Sequence, residues 1–100
     1  MDPRPGLSLR LFVAGDSPDS AIAVANLKAL FPKEKGFDVR IDIVDVQREP
    51  GRAARDEIMV TPTLLKVSPA PRFRILGNLT NGAALLRLLG VERPRLDPTS

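Results

Sequence analysis

The sequence predicts a single α/β domain with the element order β-α-β-α-β-β-α, and three observations carry that prediction. Two strand-like runs, Leu7 to Ala14 and Phe37 to Val46, flank a stretch with helical spacing. A proline between two threonines, Thr61-Pro62-Thr63, stands at the mouth of a third apolar run. A short Ser68-Pro69-Ala70-Pro71 turn then separates that run from a fourth, and a leucine-rich helical pattern follows. One hundred residues, 43% of them hydrophobic, suffice for one core and not for two.

Residues 1–6 read as a proline-rich, flexible arm. Leu7-Ser8-Leu9-Arg10-Leu11-Phe12-Val13-Ala14 alternates apolar and polar, then turns continuously apolar, as a strand buried on both faces in its second half would. Gly15-Asp16 breaks it. Ser17 then offers an N-cap hydroxyl, Pro18 suits the first helical position, and Asp19 favours the positive end of the helix dipole. The helix should run from Pro18 to about Phe31, stopped by Pro32, with Ala23, Val24, Leu27, Leu30 and Phe31 as its buried stripe. Lys33 to Gly36 is a solvated loop. Phe37 to Ile43 alternates strictly, predicting a strand with one wet face that continues into Val44-Asp45-Val46. A strand, a helix and a strand make a parallel β-α-β unit with a right-handed crossover.

Pro50-Gly51 opens a short helical segment, Arg52 to about Glu57, with only Ala53 and Ala54 as an apolar face. Proline cannot donate to a hydrogen-bond ladder, so Pro62 belongs at the start of the third strand, Thr63 to Val67. It also drives Thr61 away from helical geometry, and a cis Thr61–Pro62 bond would make the turn tight. Phe73, Ile75 and Leu76 mark the fourth strand, joined to the third as an antiparallel hairpin. Gly77-Asn78 ends it. Thr80 or Asn81 caps a last helix carrying Leu85, Leu86, Leu88 and Leu89, and Gly90 suits its left-handed C-terminal position. Residues 91–100, with Pro94 and Pro98, read as a flexible tail.

Composition narrows function sharply. The chain has no cysteine, which excludes disulfides, thiolate nucleophiles and redox dithiols. It has no histidine, which removes the commonest general base and metal ligand, and neither tyrosine nor tryptophan. These absences predict a protein that is not an enzyme and carries no cofactor or metal. No apolar run approaches the roughly 20 residues of a membrane span, and the first residues lack a signal-peptide pattern, so a cytoplasmic location is expected. The net charge of +3 comes from scattered arginines, and four phenylalanines at mostly core-like positions offer no stacking platform; nucleic acid is not the expected partner.

The element order, with a proline just before the third strand, is that of the thioredoxin fold. The first helix there carries a redox pair; here it begins Asp16-Ser17-Pro18-Asp19-Ser20, so the scaffold is present without its chemistry. Asp16 and Asp19 read as helix-capping residues, not an acid/base or metal pair. Asp42 and Asp45, an odd number of residues apart on a strand, face opposite sides.

Several segments in register resemble the KaiB family: Leu9-Arg10-Leu11-Phe12-Val13-Ala14-Gly15, Ser17-Pro18, Val44-Asp45-Val46 and Pro50. Thr61-Pro62-Thr63-Leu64, Lys66-Val67, Pro69-Ala70-Pro71 and Arg74-Ile75-Leu76-Gly77-Asn78-Leu79 extend the likeness, which covers about residues 7 to 90. The resemblance implies a non-enzymatic partner of KaiC, a RecA-like ATPase and autokinase. It also implies competition with a sensor histidine kinase and, in clock systems, capture of KaiA. Two folds are implied as well: a ground-state dimer or tetramer, and a monomeric thioredoxin-like form that binds KaiC, with residues from about 47 to 89 rearranging. On that view Thr61, Pro62, Thr63, Pro69, Pro71 and Gly77 are the turn positions of the switch. On the simpler view Pro62 is a turn former in a single fold. The present sequence favours the thioredoxin-like arrangement.

The chain departs from the family's pattern at Arg40, Asp42, Glu57, Asn78, Arg93 and Arg95, which bears on KaiA capture more than on KaiC docking. Candidate partner-binding residues are Arg52 and Arg55 on the short helix, and Arg72 and Arg74 on one strand face, joined by Lys66 if register allows. Two classes of function remain: a regulator of a KaiC-type ATPase, or a redox-inactive thioredoxin-fold adaptor or nucleic-acid-binding module.

Overall fold

A computed structural model describes residues 6–31 and 38–90. The expected arm at 1–6, save Gly6, the loop and Phe37 within 32–37, and the tail at 91–100 lie outside the described residues. The elements are β1 (Leu7–Val13), α1 (Pro18–Leu30), β2 (Val39–Asp45), α2 (Pro50–Arg55), β3 (Thr63–Ser68), β4 (Phe73–Leu76) and α3 (Gly82–Leu89). Order and type match the expectation; α2 starts two residues earlier than predicted because Pro50 takes a first-turn position, where proline costs no hydrogen bond.

The four strands form one sheet in the order β2-β1-β3-β4. Strands β1 and β2 are parallel, as a helical crossover requires, while β1/β3 and β3/β4 are antiparallel. Alternation along β1 feeds two cores. Leu7, Leu9, Leu11 and Val13 pack with Leu64 against Ala23, Leu27 and Phe31 of the α1 side and Leu79, Leu85 and Leu89 of the α3 side. Phe12, on the opposite face, packs with Val44, Leu65 and Ala53 of α2. Helices α1 and α3 therefore cover one face of the sheet and α2 the other, the thioredoxin-like arrangement.

Local chemistry sets the element ends. Ser17 Oγ accepts the Ser20 amide at 3.1 Å, and Asn81 Oδ1 accepts the Ala84 amide at 3.1 Å, so Asn81 and not Thr80 caps α3. Gly90 closes α3 at φ 76°. Between β1 and α1, Gly15 turns at φ 48° and its amide reaches Asp45 Oδ1 at 3.2 Å. A Cβ there would stand 2.6 Å from Gln47 Oε1. Ser20, missed as a core position, is 1% exposed and its Oγ accepts the Ala14 amide at 3.0 Å. This bond returns the chain leaving β1 onto the first turn of α1.

The Thr61–Pro62, Ser68–Pro69 and Ala70–Pro71 bonds are cis. Pro62 is buried, and its carbonyl accepts the Gly77 amide at 3.0 Å, tying the mouth of β3 to the end of β4. Thr63 Oγ1 donates to the Val60 carbonyl at 2.7 Å, while Pro69 and Pro71 lie exposed in the hairpin turn. Among the described residues no helix is long and apolar enough to cross a membrane.

Leu64 is fully enclosed between β1 and the α1/α3 layer. Leu64→Ala is expected to lower the unfolding free energy by about 2–5 kcal/mol. Ile22→Ala, at an exposed position of α1, should change it by less than about 0.5 kcal/mol. Urea denaturation followed by circular dichroism checks both.

Candidate functional site

The sheet register places four side chains in one row on the face covered by α2. Asp42 pairs across β2/β1 with Arg10, Arg10 across β1/β3 with Leu65, and Leu65 across β3/β4 with Arg74. Paired residues project from the same face, so the row runs acid, base, apolar, base beneath the C-terminal end of α2.

That end of α2 is held from both sides. The Asp56 carboxylate accepts Arg10 Nη1 at 2.8 Å, and the Asp56 and Glu57 carbonyls accept Arg74 Nη2 at 3.0 Å and Nη1 at 2.9 Å. A guanidinium on the carbonyls of the C-cap and the residue after it satisfies acceptors that have no partner within the helix, and it lies at the negative end of the dipole. The chain leaves α2 through a Schellman motif: the Ile58 amide donates to Ala53 at 2.9 Å and the Glu57 amide to Ala54 at 3.1 Å. The motif needs a left-handed residue, and Glu57 fills it at φ 57°. Leu79 is also left-handed, at φ 65°, but it is buried in the larger core. Burying a leucine is worth about 1.5–3 kcal/mol, against about 1–2 kcal/mol for left-handed backbone. Leu79 thus offsets its strain; exposed Glu57 does not.

Arg52, one turn earlier, donates to Asp42 Oδ2, the oxygen that also takes Arg10 Nε at 3.3 Å, and to Glu49 Oε1 at 3.4 Å. The Asp42 hydrogen bond is the main reason its guanidinium is held above the ordinary arginine value. Raised pKa means that any stabilisation from Arg52 is present at all pH values below the ordinary arginine range, so it adds no pH dependence near neutrality. Asp45, on the opposite face from Asp42 as its spacing predicts, accepts the Gly15 and Gln47 amides.

Between the end of α2 and the start of β4 lies an open depression of about 330 Å³, lined by Arg55, Asp56, Glu57, Leu65, Arg72 just before β4, and Phe73 and Arg74 within it. The structure therefore brings Arg55, Arg72 and Arg74 together. Lys66 does not join them. Register sets it opposite Phe73 and Leu9, on the α1/α3 face, where it is 5% exposed with its Nζ 5.3 Å from the Phe73 ring centroid. It is one residue out of phase with Arg74, and a one-residue offset changes face. Arg52 is consumed by Asp42 and Glu49.

The Arg10–Asp56 contact was not foreseen. Its only sequence signal is a charged residue in the middle of a mostly apolar strand, which demands a partner without naming it. No group of three or more metal-ligating side chains occurs among the described residues.

A model of the KaiB domain matches residues 10–91. The chain is 40% identical over 84 residues to circadian clock protein KaiB3 of Synechocystis sp., covering 84% of this chain and 80% of that protein. It is 38% identical over 86 residues to circadian clock oscillator protein KaiB of Synechococcus elongatus, covering 86% and 84%. Among solved structures it is similar to the N-terminal domain of Synechococcus elongatus SasA, with a TM-score of 0.67, 25% identity and coverage of 96% and 97%. Oxidised mitochondrial thioredoxin 3 of Saccharomyces cerevisiae shares the fold at a TM-score of 0.68 with 22% identity, covering 87% and 79%.

Two stability changes follow from this geometry. Glu57→Gly should raise unfolding free energy by about 0.5–1 kcal/mol by relieving left-handed strain. Asp56→Ala should lower it by about 1–3 kcal/mol, because Arg10 loses a charged partner. Thermal and urea unfolding of the two variants give opposite signs if the α2 terminus is held as described.

Proposed function

The chain belongs to the KaiB family, and from that premise we propose that it is a non-enzymatic regulator that docks on a KaiC-type ATPase and autokinase. Docking in the thioredoxin-like arrangement modulates that enzyme's phosphorylation cycle, in circadian timing or stress adaptation. The observation that carries the reading is the KaiB-domain match joined to a thioredoxin-like scaffold whose first helix begins Asp16-Ser17-Pro18, without a cysteine. A redox member of the fold needs a thiolate at that helix start. What this chain offers instead is surface.

The likeness to the SasA N-terminal domain supports the same reading. Two related chains of one fold can compete for one site, and a sensor histidine kinase is accordingly a second member of the proposed partner set; capture of a KaiA-like protein is a third. The thioredoxin-like form is the binding form and a monomer, and it exchanges with a dimeric or tetrameric ground state through residues 47–89. A ligand that binds only one of two forms shifts their populations by mass action.

Purified protein mixed with a KaiC homologue and ATP should co-elute from a size-exclusion column. Absence of a complex with native and phosphomimetic KaiC alike, together with salt-sensitive DNA binding, would replace this reading with a nucleic-acid-binding one. Backbone NMR of the free chain should give two sets of resonances over residues 47–89. One set should carry helical shifts at 50–55 and strand shifts at 63–68 and 73–76. A single set, unchanged on dilution, removes the exchange from the proposal.

A further inference from the structure

Five charged side chains line the depression beside α2, and they are not equivalent. Arg74 is spent on the carbonyls of Asp56 and Glu57, and the Asp56 carboxylate is spent on Arg10. Arg55 and Arg72 are exposed and have no hydrogen bond or ion pair among the described residues. Two unpaired guanidiniums, brought to one rim from elements far apart in sequence, face one unpaired carboxylate, that of Glu57. Phe73 and the nearly buried Leu65 complete the lining.

We infer that this depression is a docking site for an acidic segment of the partner protein, with Arg55 and Arg72 as the contacts and Arg74 as their support. The inference rests on the proposed function and names the partner chemistry at this surface. A guanidinium presents a planar fork that pairs with a carboxylate through two hydrogen bonds, so two free forks select a segment with two spaced carboxylates. The open shape suits a protein segment better than a small molecule, which needs enclosure. Glu57 adds selectivity: a compact multivalent anion would meet its charge, whereas a peptide can lay a basic or neutral residue beside it. Arg74 acts differently. Its donors are already satisfied, and its removal would release the end of α2 on which Arg55 sits.

The test pairs the charge reversal R55E/R72E with R48E/R87E, which makes the same change in net charge at two exposed arginines outside the depression. Binding to the KaiC homologue is measured across a salt series, with an NMR spectrum of each variant to verify the fold. R55E/R72E should raise Kd by about tenfold or more and flatten the salt dependence, with R48E/R87E near wild type. Equal binding by all three proteins overturns the inference and leaves the function standing, whereas failure of the wild-type chain to bind overturns the function. Independently of that partner, a decaglutamate peptide should shift the amides of residues 55–57, 65 and 72–74 in the wild type and not in R55E/R72E. Shifts produced by inorganic phosphate with the peptide silent would overturn the inference in favour of a small-anion site.

Discussion

Strand β1 is buried on both faces, and the rest of the molecule depends on that constraint. Leu9 and Leu11 are enclosed on one side and Phe12 on the other, so neither face tolerates a slip of register. With β1 central, β2 is parallel to it through α1, and β3 returns antiparallel on its other edge. Only one polar side chain, Arg10, projects from the middle of this strand, and its position is then not negotiable. It must find acids on whatever lies across the α2 face, and it finds Asp42 and Asp56.

Helix α2 is short, and among its residues only Ala53 is buried. Burial of one alanine cannot anchor a six-residue helix whose nucleation is itself unfavourable. Polar contacts therefore hold it: Arg52 to Asp42 near its start, and, just past its end, Asp56 to Arg10 and the Asp56 and Glu57 carbonyls to Arg74. Half of these contacts come from β1 and β2 and half from β4, so α2 reports on whether both parts of the sheet are in register. An element secured by a few exposed polar contacts opens more readily than one secured by a packed stripe. The contrast is with α1, whose Ala23 and Leu27 are fully buried, so α2 is the more weakly packed of the two helices.

The fold was legible in the sequence wherever burial imposed a period. Leu7 to Val13, Ala23 to Phe31 and Leu85 to Leu89 declared themselves by alternation or helical spacing, and the caps Ser17, Asn81 and Gly90 by residue type. The site was legible only in part. Arg72 and Arg74 share a face by simple alternation, and Arg55 lies near them because the α2 turn brings it there. Whether Lys66 belonged with them depended on cross-strand register. Register is a relation between two strands that composition along one strand does not encode, and it placed Lys66 under Phe73. The Arg10–Asp56 pair spans 46 positions and has no local signature. The left-handed Glu57 was hidden because a glutamate occupies a position where glycine would have announced the turn.

Arginine serves two purposes in this surface, and the distinction is visible in what each guanidinium already touches. Arg10, Arg52 and Arg74 have their donors turned inward, so their charge is largely neutralised or committed to backbone. Removing one would loosen α2 and would impair docking indirectly. Arg55 and Arg72 do less to hold the fold, since neither guanidinium has a hydrogen bond or ion pair among the described residues. A positive side chain with no internal ion pair to give up, placed near a second one, is available for an outside carboxylate. A chain without cysteine or histidine has its strongest means of recognition in such forks, and it keeps them on the part of the fold that packs least.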